Sequence, residues 1–245
     1  MDKLSLVFIA TILTGASVCR AEAVHGHEPY DWSGFYLGTS LGLHDVTTSG
    51  VFDGPELGVT PDLENIGGEG VNFVFQGGYN YQVNRFVLGV ESDVSLGGFD
   101  KSFVTIQDGS VSEAGLLAYP IEGELKYLAT LRGRTGFIME DIFPHPTLLF
   151  ATGGLAFTDF NLGIANGRSE FGFSKTGLTW GFGIEMPFSD QILLRADFLH
   201  TDFDERRNIA GVATSGIFDA NDGNFVKLKD VDIIRVGLDF KLGKK

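Results

Sequence analysis

The strongest constraint on the fold is the spacing of two residues between apolar side chains, which recurs from Trp32 to near the end of the chain. Successive side chains of a β-strand point to opposite faces, so this spacing collects apolar groups on one face. Eight segments show it: Trp32–Leu43, Val71–Tyr81, Phe86–Ser95, Leu125–Phe137, Thr147–Phe157, Leu178–Met186, Ile192–Phe198 and Ile234–Lys241. No segment of comparable length has helical periodicity, and the pattern therefore predicts an all-β fold.

The predicted connections alternate in length. Long connections cover residues 44–70, 97–124, 158–176 and 201–231, whereas short ones cover 82–85, 138–145 and 187–190. In an up-and-down antiparallel sheet, alternate connections lie at the same end, so one end would carry four long loops and the other tight turns. This asymmetry is typical of a transmembrane β-barrel with long extracellular loops, and it predicts an eight-stranded antiparallel up-and-down barrel.

Composition indicates that the apolar face points outward. A soluble barrel carries Lys and Glu on its outside, but the polar phase of these segments is mainly Gly, Ser, Thr and Asn. The apolar phase is rich in Phe, Leu, Tyr and Trp, as lipid contact and an interfacial aromatic girdle require. The interior of an eight-stranded barrel is just wide enough to be filled by side chains. We therefore expect lipid outside and a filled lumen inside.

Charged residues share the polar phase with the small ones. In Phe86–Ser95 they are Glu91 and Asp93, and other strands add further acids and bases. An unpaired charge withdrawn from water is costly, so we expect these groups to pair with one another in the lumen. The predicted structural network consists of Glu91, Asp93, Arg132, Arg134, Glu185, Arg195, Asp197, Arg235, Asp239 and Lys241.

The N-terminus has the pattern of a secretory signal peptide. Lys3 precedes an apolar stretch, and Ala21-Glu22-Ala23 supplies the small residues that precede a cleavage site. We expect residues 1–23 to be removed together with Cys19, residues 24–31 to form a short periplasmic tail, and residues 32–245 to form the barrel.

The charge balance restricts the partners. The chain has 32 Asp and Glu against 18 Lys and Arg, a net charge of -14, which argues against nucleic acid because a polyanion would be repelled. The first long loop contains carboxylates and no Lys or Arg, which fits either simple solvation or a site for a cation or receptor. Its carboxylates lack the compact spacing of a calcium loop, and no metal site is predicted.

Short motifs along the whole mature chain resemble those of a known family. They are W-S-G-F-Y-x-G at 32–38, G-G-Y-N-Y-Q at 77–82, V-L-G-V-E-S-D at 87–93, L-R-G-R-T-G-F at 131–137, A-T-G-G-L-A-F at 151–157, G-F-G-I-E at 181–185, L-L-R-A-D-F at 193–198 and R-V-G-L-D-F at 235–240. In order and spacing the chain resembles the small eight-stranded outer-membrane β-barrel surface proteins of alphaproteobacteria. This porin-like or OmpA-like group includes opacity-type antigens and hemin-binding proteins.

The resemblance implies a location and a set of partners. The location is the outer membrane, and the expected partners are its lipid and lipopolysaccharide, the barrel assembly machinery and an extracellular ligand bound by the long loops. Family members typically end on an aromatic residue that the assembly machinery recognises. This chain instead continues past Phe240 to Lys244 and Lys245, so Phe240 or Leu242 would have to act as a displaced signal.

The primary functional hypothesis is a structural and surface-interaction protein without catalysis. Three alternatives remain open. The hemin-binding relatives suggest heme as a cofactor, with His44 and His200 as candidate ligands near the ends of strands and His25 and His27 in the tail. The porin-like kinship suggests passage of small solutes, although a filled lumen argues against it. An enzyme is the last alternative, because His200 lies on the outward phase and is followed by acidic residues.

Overall fold

The computed structural model describes residues 30–51, 62–97, 102–107, 118–140, 145–164, 169–203, 207–208 and 225–243. The predicted signal peptide and the tail up to residue 29 lie outside these ranges. In the ranges that are described, no helix has the length and hydropathy needed to cross a membrane.

Eight long strands form one closed antiparallel barrel, as the sequence predicts. They are β1 (Gly34–Val51), β2 (Asp62–Val83), β3 (Phe86–Leu96), β5 (Ala118–Met139), β6 (Thr147–Ile164), β7 (Ser169–Pro187), β8 (Ile192–Asp202) and β10 (Phe225–Leu242). Each strand pairs with the next long strand along the chain, and β1 pairs with β10 from Phe35↔Leu242 to Val51↔Phe225. This β1–β10 seam leaves the long strands without a free edge.

Two short strands extend the barrel wall at one end. Strand β4 (Ser102–Gln107) pairs with the first part of β5, which β3 does not reach, and β9 (Arg207–Asn208) pairs with the first part of β10. We call this end, which carries the connections after β1, β3, β6 and β8, the loop end. The opposite end, where β2–β3, β5–β6 and β7–β8 connect, is the turn end.

The predicted strand limits are wrong at the loop end. Residues 44–51 and 62–70, expected in a loop, belong to β1 and β2, and only residues 52–61 separate those strands. Likewise β6 and β7 stay paired as far as Ile164↔Ser169, so residues 165–168 replace the long loop expected over 158–176. The strands extend here because backbone N–H and C=O groups of neighbouring strands continue to hydrogen-bond beyond the segments of alternating hydrophobicity. Backbone pairing of this kind does not require apolar and polar side chains to alternate.

The turn end has the tight connections that the sequence predicts. Asn84 and Arg85 form a two-residue turn, and Asn84 has φ 56°, a left-handed conformation that Asn tolerates better than most residues. The connection between β7 and β8 has four residues, 188–191, and the backbone N–H of Phe188 donates to the carbonyl of Ile192 at 2.8 Å.

The outward face of the barrel is apolar. Leu37, Leu88, Trp180 and Phe182 are each more than half exposed, and the same phase is predominantly apolar on the long strands. On β1 this phase is apolar or Thr from Phe35 to Leu43 and then changes to Asp45, a length close to the 9–11 residues that a tilted strand needs to cross a bilayer. A continuous apolar belt of this kind requires lipid around it.

Candidate functional site: the charged lumen

The lumen brings together charged side chains from five strands. β3 contributes Glu91 and Asp93, β5 contributes Arg132 and Arg134, β7 contributes Glu185, β8 contributes Arg195 and Asp197, and β10 contributes Arg235 and Asp239. All nine are at most 6% exposed, because the two-residue alternation that turns their apolar neighbours to the outside turns these groups to the inside.

Glu91 lies at the centre of this lumen network. Its two oxygens accept from Arg195 Nη1 and Nη2 at 2.5 and 2.8 Å, a bidentate pair across the barrel, and Oε1 also accepts from Arg132 Nη2 at 2.5 Å. Arg134 Nη1 lies 3.4 Å from Glu91 Oε2, and the Tyr36 hydroxyl donates to the same oxygen at 2.5 Å. One carboxylate therefore connects three guanidinium groups.

A second centre lies nearer the loop end. Arg235 donates from Nε and Nη2 to both oxygens of Asp197, at 2.9 and 2.5 Å, and from Nη1 to Asp93 at 2.9 Å. Asp93 also accepts from Arg132 Nη2, and Asp197 accepts from Arg195 Nη2 at 2.9 Å. These shared partners join the two centres into one network, in which charge-assisted and bidentate bonds are the strongest type available to a protein.

Two arginines also pack against an aromatic ring. The guanidinium carbons of Arg134 and Arg195 lie 4.2 and 5.0 Å from the centroid of Phe150, and Arg134 Nη2 donates to Glu185 at 2.8 Å. Cations near the face of a ring are stabilised by its quadrupole. One aromatic ring, Phe150, therefore contacts two guanidinium groups of the network.

Polar neutral residues complete one side of the network. Gln76 Nε2 donates to Asp239 at 2.7 Å, and Gln76 Oε1 accepts from the Ser40 hydroxyl at 2.9 Å. Neither residue was among the sequence candidates. Ser40 on β1 and Gln76 on β2 occupy positions of the polar phase, and this alternation predicts that both side chains face the lumen.

Glycines make room for the long side chains. Seven of the nine charged residues are paired across the ladder with a glycine: Glu91 with Gly78, Arg132 with Gly154, Arg134 with Gly89, Arg195 with Gly237, Asp197 with Gly183, Arg235 with Gly42 and Asp239 with Gly38. A Cβ at Gly183 would lie 2.5 Å from Asp197 Cβ and 2.6 Å from Phe150 Cζ, and one at Gly38 would overlap the Asp239 carboxylate. The narrow lumen thus holds its charges only because the facing positions have no side chain.

Apolar side chains lie in the lumen on both sides of the network, which was not anticipated. Toward the turn end these are Val87, Ile138, Leu148 and Leu193; toward the loop end they include Val74, Leu128, Leu199 and Ile233, and all are at most 3% exposed. Consecutive apolar residues such as Leu148-Leu149-Phe150 and Ile192-Leu193-Leu194 are the available signal, because such a run places apolar groups on both faces of a strand. The run Leu148-Leu149-Phe150 also explains why apolar and polar residues alternate poorly in Thr147–Phe157.

Lys241 is the one predicted member of the network that the structure places elsewhere. It lies at the turn end of β10, half-buried, where its Nζ donates to the backbone carbonyl of Asp31. The nine residues that pair with one another comprise five carboxylates and four guanidinium groups, rather than the equal numbers expected from the sequence. The displacement follows from position, since Lys241 is the penultimate residue of its strand and lies beyond the charged part of the lumen.

The candidate heme ligands do not converge. His44 is inside β1, buried and facing the lumen, opposite Ile233. His200 faces outward on β8, where its Nδ1 lies 2.7 Å from Asp232 Oδ1 and its ring lies 5.3 Å from the Trp180 ring. Two side chains on opposite faces of the wall cannot ligate one iron, so His44 and His200 do not form a single heme site. His25 and His27 lie outside the described residues.

Within the described strands and turns, no group of three or more His, Cys, Asp and Glu side chains is arranged to hold a metal ion. The arrangement of the lumen is instead that of a structural ion-pair network: its acids and bases are bonded to one another.

Comparison with known proteins identifies the family. Residues 8–241 match the family model described as the outer membrane protein beta-barrel domain. A 31 kDa outer-membrane immunogenic protein of Brucella melitensis biotype 1 is 30% identical over 229 residues, which cover 87% of this chain and 85% of the relative. A 22 kDa outer membrane protein of Rhizobium leguminosarum bv. viciae is 27% identical over 210 residues, covering 86% and 78% of the two chains.

Solved structures agree in fold. The outer membrane protein OprG of Pseudomonas aeruginosa has a TM-score of 0.53 at 14% identity, covering 89% of this chain and all of that one. A closed barrel with an apolar exterior and a buried charged lumen, together with these matches, leads to one identification: the chain belongs to the outer membrane protein β-barrel family and is an outer-membrane β-barrel surface protein.

Proposed function

We propose that the protein is a closed, non-conducting and non-catalytic barrel whose role is to anchor a surface for contact with the environment or a host. The observation that carries this proposal is the lumen network, in which Glu91 joins three arginines across the barrel between two layers of apolar side chains. Water and solutes would have to break bidentate ion pairs to pass. The immunogenic relatives in Brucella support surface display.

Planar-bilayer recording tests the closed lumen. We expect the refolded protein to give no steady unitary currents under conditions in which a general porin, run as a positive control, conducts. Reproducible unitary currents that scale with salt concentration would contradict a closed lumen and favour the passage of small solutes.

We further propose that the loop end faces outward and the turn end faces the periplasm. Three of the four loop-end connections, those after β1, β3 and β8, are longer than any turn-end connection, and this supports the orientation because outer-membrane barrels have short periplasmic turns. An epitope inserted after Asp108 or Asn221, in loop-end connections, should be labelled by antibody on intact cells. The same epitope inserted after Asn84, in the turn between β2 and β3, should be labelled only after the outer membrane is opened; the reverse pattern would overturn the orientation.

A further inference from the structure

The three residues before β1, Asp31–Ser33, form a strap that leaves the line of the strand. The change of direction occurs at Gly34, whose φ of 125° is accessible to glycine and strained for other residues. Within the strap, the backbone N–H of Ser33 donates to Asp31 Oδ1 at 2.9 Å, a local bond that keeps the segment bent.

The strap is held from both sides of β1. On one side, the backbone N–H of Trp32 donates to Gln82 Oε1 at 2.7 Å, and the backbone N–H of Gln82 donates to the Ser33 hydroxyl at 3.1 Å. On the other side, Lys241 Nζ donates to the carbonyl of Asp31. Gln82 is the penultimate residue of β2 and Lys241 the penultimate residue of β10, and these are the two strands that flank β1.

The side chains that hold the strap belong to the inward phase. Gln82 is paired with Val87, and Lys241 is paired with Tyr36; both partners are buried in the lumen. A segment bonded to both of them lies on the lumen side of the wall. Trp32 is accordingly only 2% exposed, although it stands at the end of the barrel, whereas Trp180 on the outer wall is 52% exposed.

We propose that the Asp31–Ser33 strap is a stopper, with Trp32 closing the turn end of the lumen and the two flanking bonds clasping β2 and β10 around the start of β1. The bonds described for this device are made by Asp31, Ser33, Gln82, Lys241 and backbone groups at the turn end of the barrel.

The stopper has a consequence for the order of assembly. Its bonding partners lie on the second strand and on the last strand, so the complete set of bonds forms only after the β1–β10 seam has closed. The bond from Lys241 to Asp31, rather than the bond from Trp32 to Gln82, therefore marks completion of the barrel.

The test uses the two tryptophans of the chain, Trp32 and Trp180. In the Trp180→Phe variant all tryptophan emission comes from Trp32. We expect that emission to be blue-shifted, several-fold less quenched by iodide than free tryptophan, and insensitive to lipids brominated in their acyl chains, because an indole inside the lumen meets neither water nor lipid. Heat-modifiable gel migration confirms that the measured protein is folded.

Releasing the strap provides the second measurement. In the Trp180→Phe background, Gln82→Leu combined with Lys241→Met should increase iodide quenching of Trp32 several-fold, whereas Arg85→Leu, in the adjacent turn but not bonded to the strap, should leave it unchanged. Strong iodide quenching of Trp32 in the Trp180→Phe variant alone would overturn the stopper. So would a folded Gln82→Leu/Lys241→Met variant in which Trp32 stays as protected as before. Neither outcome bears on conductance, which tests the lumen network separately.

Discussion

At the scale of single residues, Glu91 shows how the alternation of side chains along a strand places apolar groups in lipid and charged groups in the lumen. Its position in Phe86–Ser95 turns Leu88 and Val90 outward and the carboxylate inward, where it bonds to Arg132, Arg195 and Arg134. Taking these groups out of water is expensive, and the pairing offsets that cost only while every partner is present. The network is therefore sensitive to the loss of any one member.

We predict that Arg132→Leu lowers the free energy of unfolding by about 3 kcal/mol or more, because it removes one buried cationic partner from both Glu91 and Asp93 and leaves five buried carboxylates with three guanidinium groups. Arg85→Leu is the matched control. Arg85 pairs with Glu140 at 3.0 Å, but both side chains are more than two-fifths exposed, and such pairs contribute about 1 kcal/mol at most. Urea titration in lipid vesicles followed by gel migration measures both, and equal stability of the two variants would contradict an inward orientation of Arg132.

At the scale of elements, the need for glycine differs between the two faces of one strand. On β6, Gly154 is inward, and a Cβ there would overlap the carbonyl oxygen of Leu131 and lie 2.7 Å from Arg132 Cα. Its neighbour Gly153 is outward, and the nearest atom to a Cβ would be Thr179 O at 3.8 Å, an ordinary contact. Only the inward glycine is required by the packing of the wall and lumen.

We predict that Gly154→Ala destabilises the barrel by roughly 1–3 kcal/mol, the usual cost of overpacking, while Gly153→Ala changes the free energy of unfolding by less than about 0.5 kcal/mol. The same urea titration compares the two. A larger loss in Gly153→Ala than in Gly154→Ala would mean that the assigned faces of β6 are interchanged.

The sequence predicts the strands and their faces better than their ends. Alternation of two residues identifies Leu178–Met186 and its outward Trp180 directly, because that segment is apolar on one phase only. It does not reveal that β2 begins at Asp62, since D-L-E-N-I-G-G-E-G alternates poorly and becomes strand through pairing with β1. Likewise the phase predicts which charges face inward, but not that Lys241 reaches Asp31, which depends on the fold of the strap.

At the scale of the whole molecule, the outer surface changes character along the barrel axis. The apolar belt ends toward the loop end at a row in which Glu69, Asp45 and Asp232 are laterally paired on β2, β1 and β10. His200 continues that row on β8, and Trp180 follows on β7. Carboxylates with an adjoining aromatic residue mark the boundary between the acyl chains and the polar surface.

The belt and the lumen network depend on one arrangement, with apolar side chains toward lipid and charges toward the axis. The Trp32→Phe variant leaves Trp180 as the only tryptophan, and its emission in vesicles containing lipids brominated in their acyl chains measures this arrangement directly. We predict strong quenching by the bromines and weak quenching by aqueous iodide. Emission that is unaffected by brominated lipid would place Trp180 away from the acyl chains and contradict the arrangement.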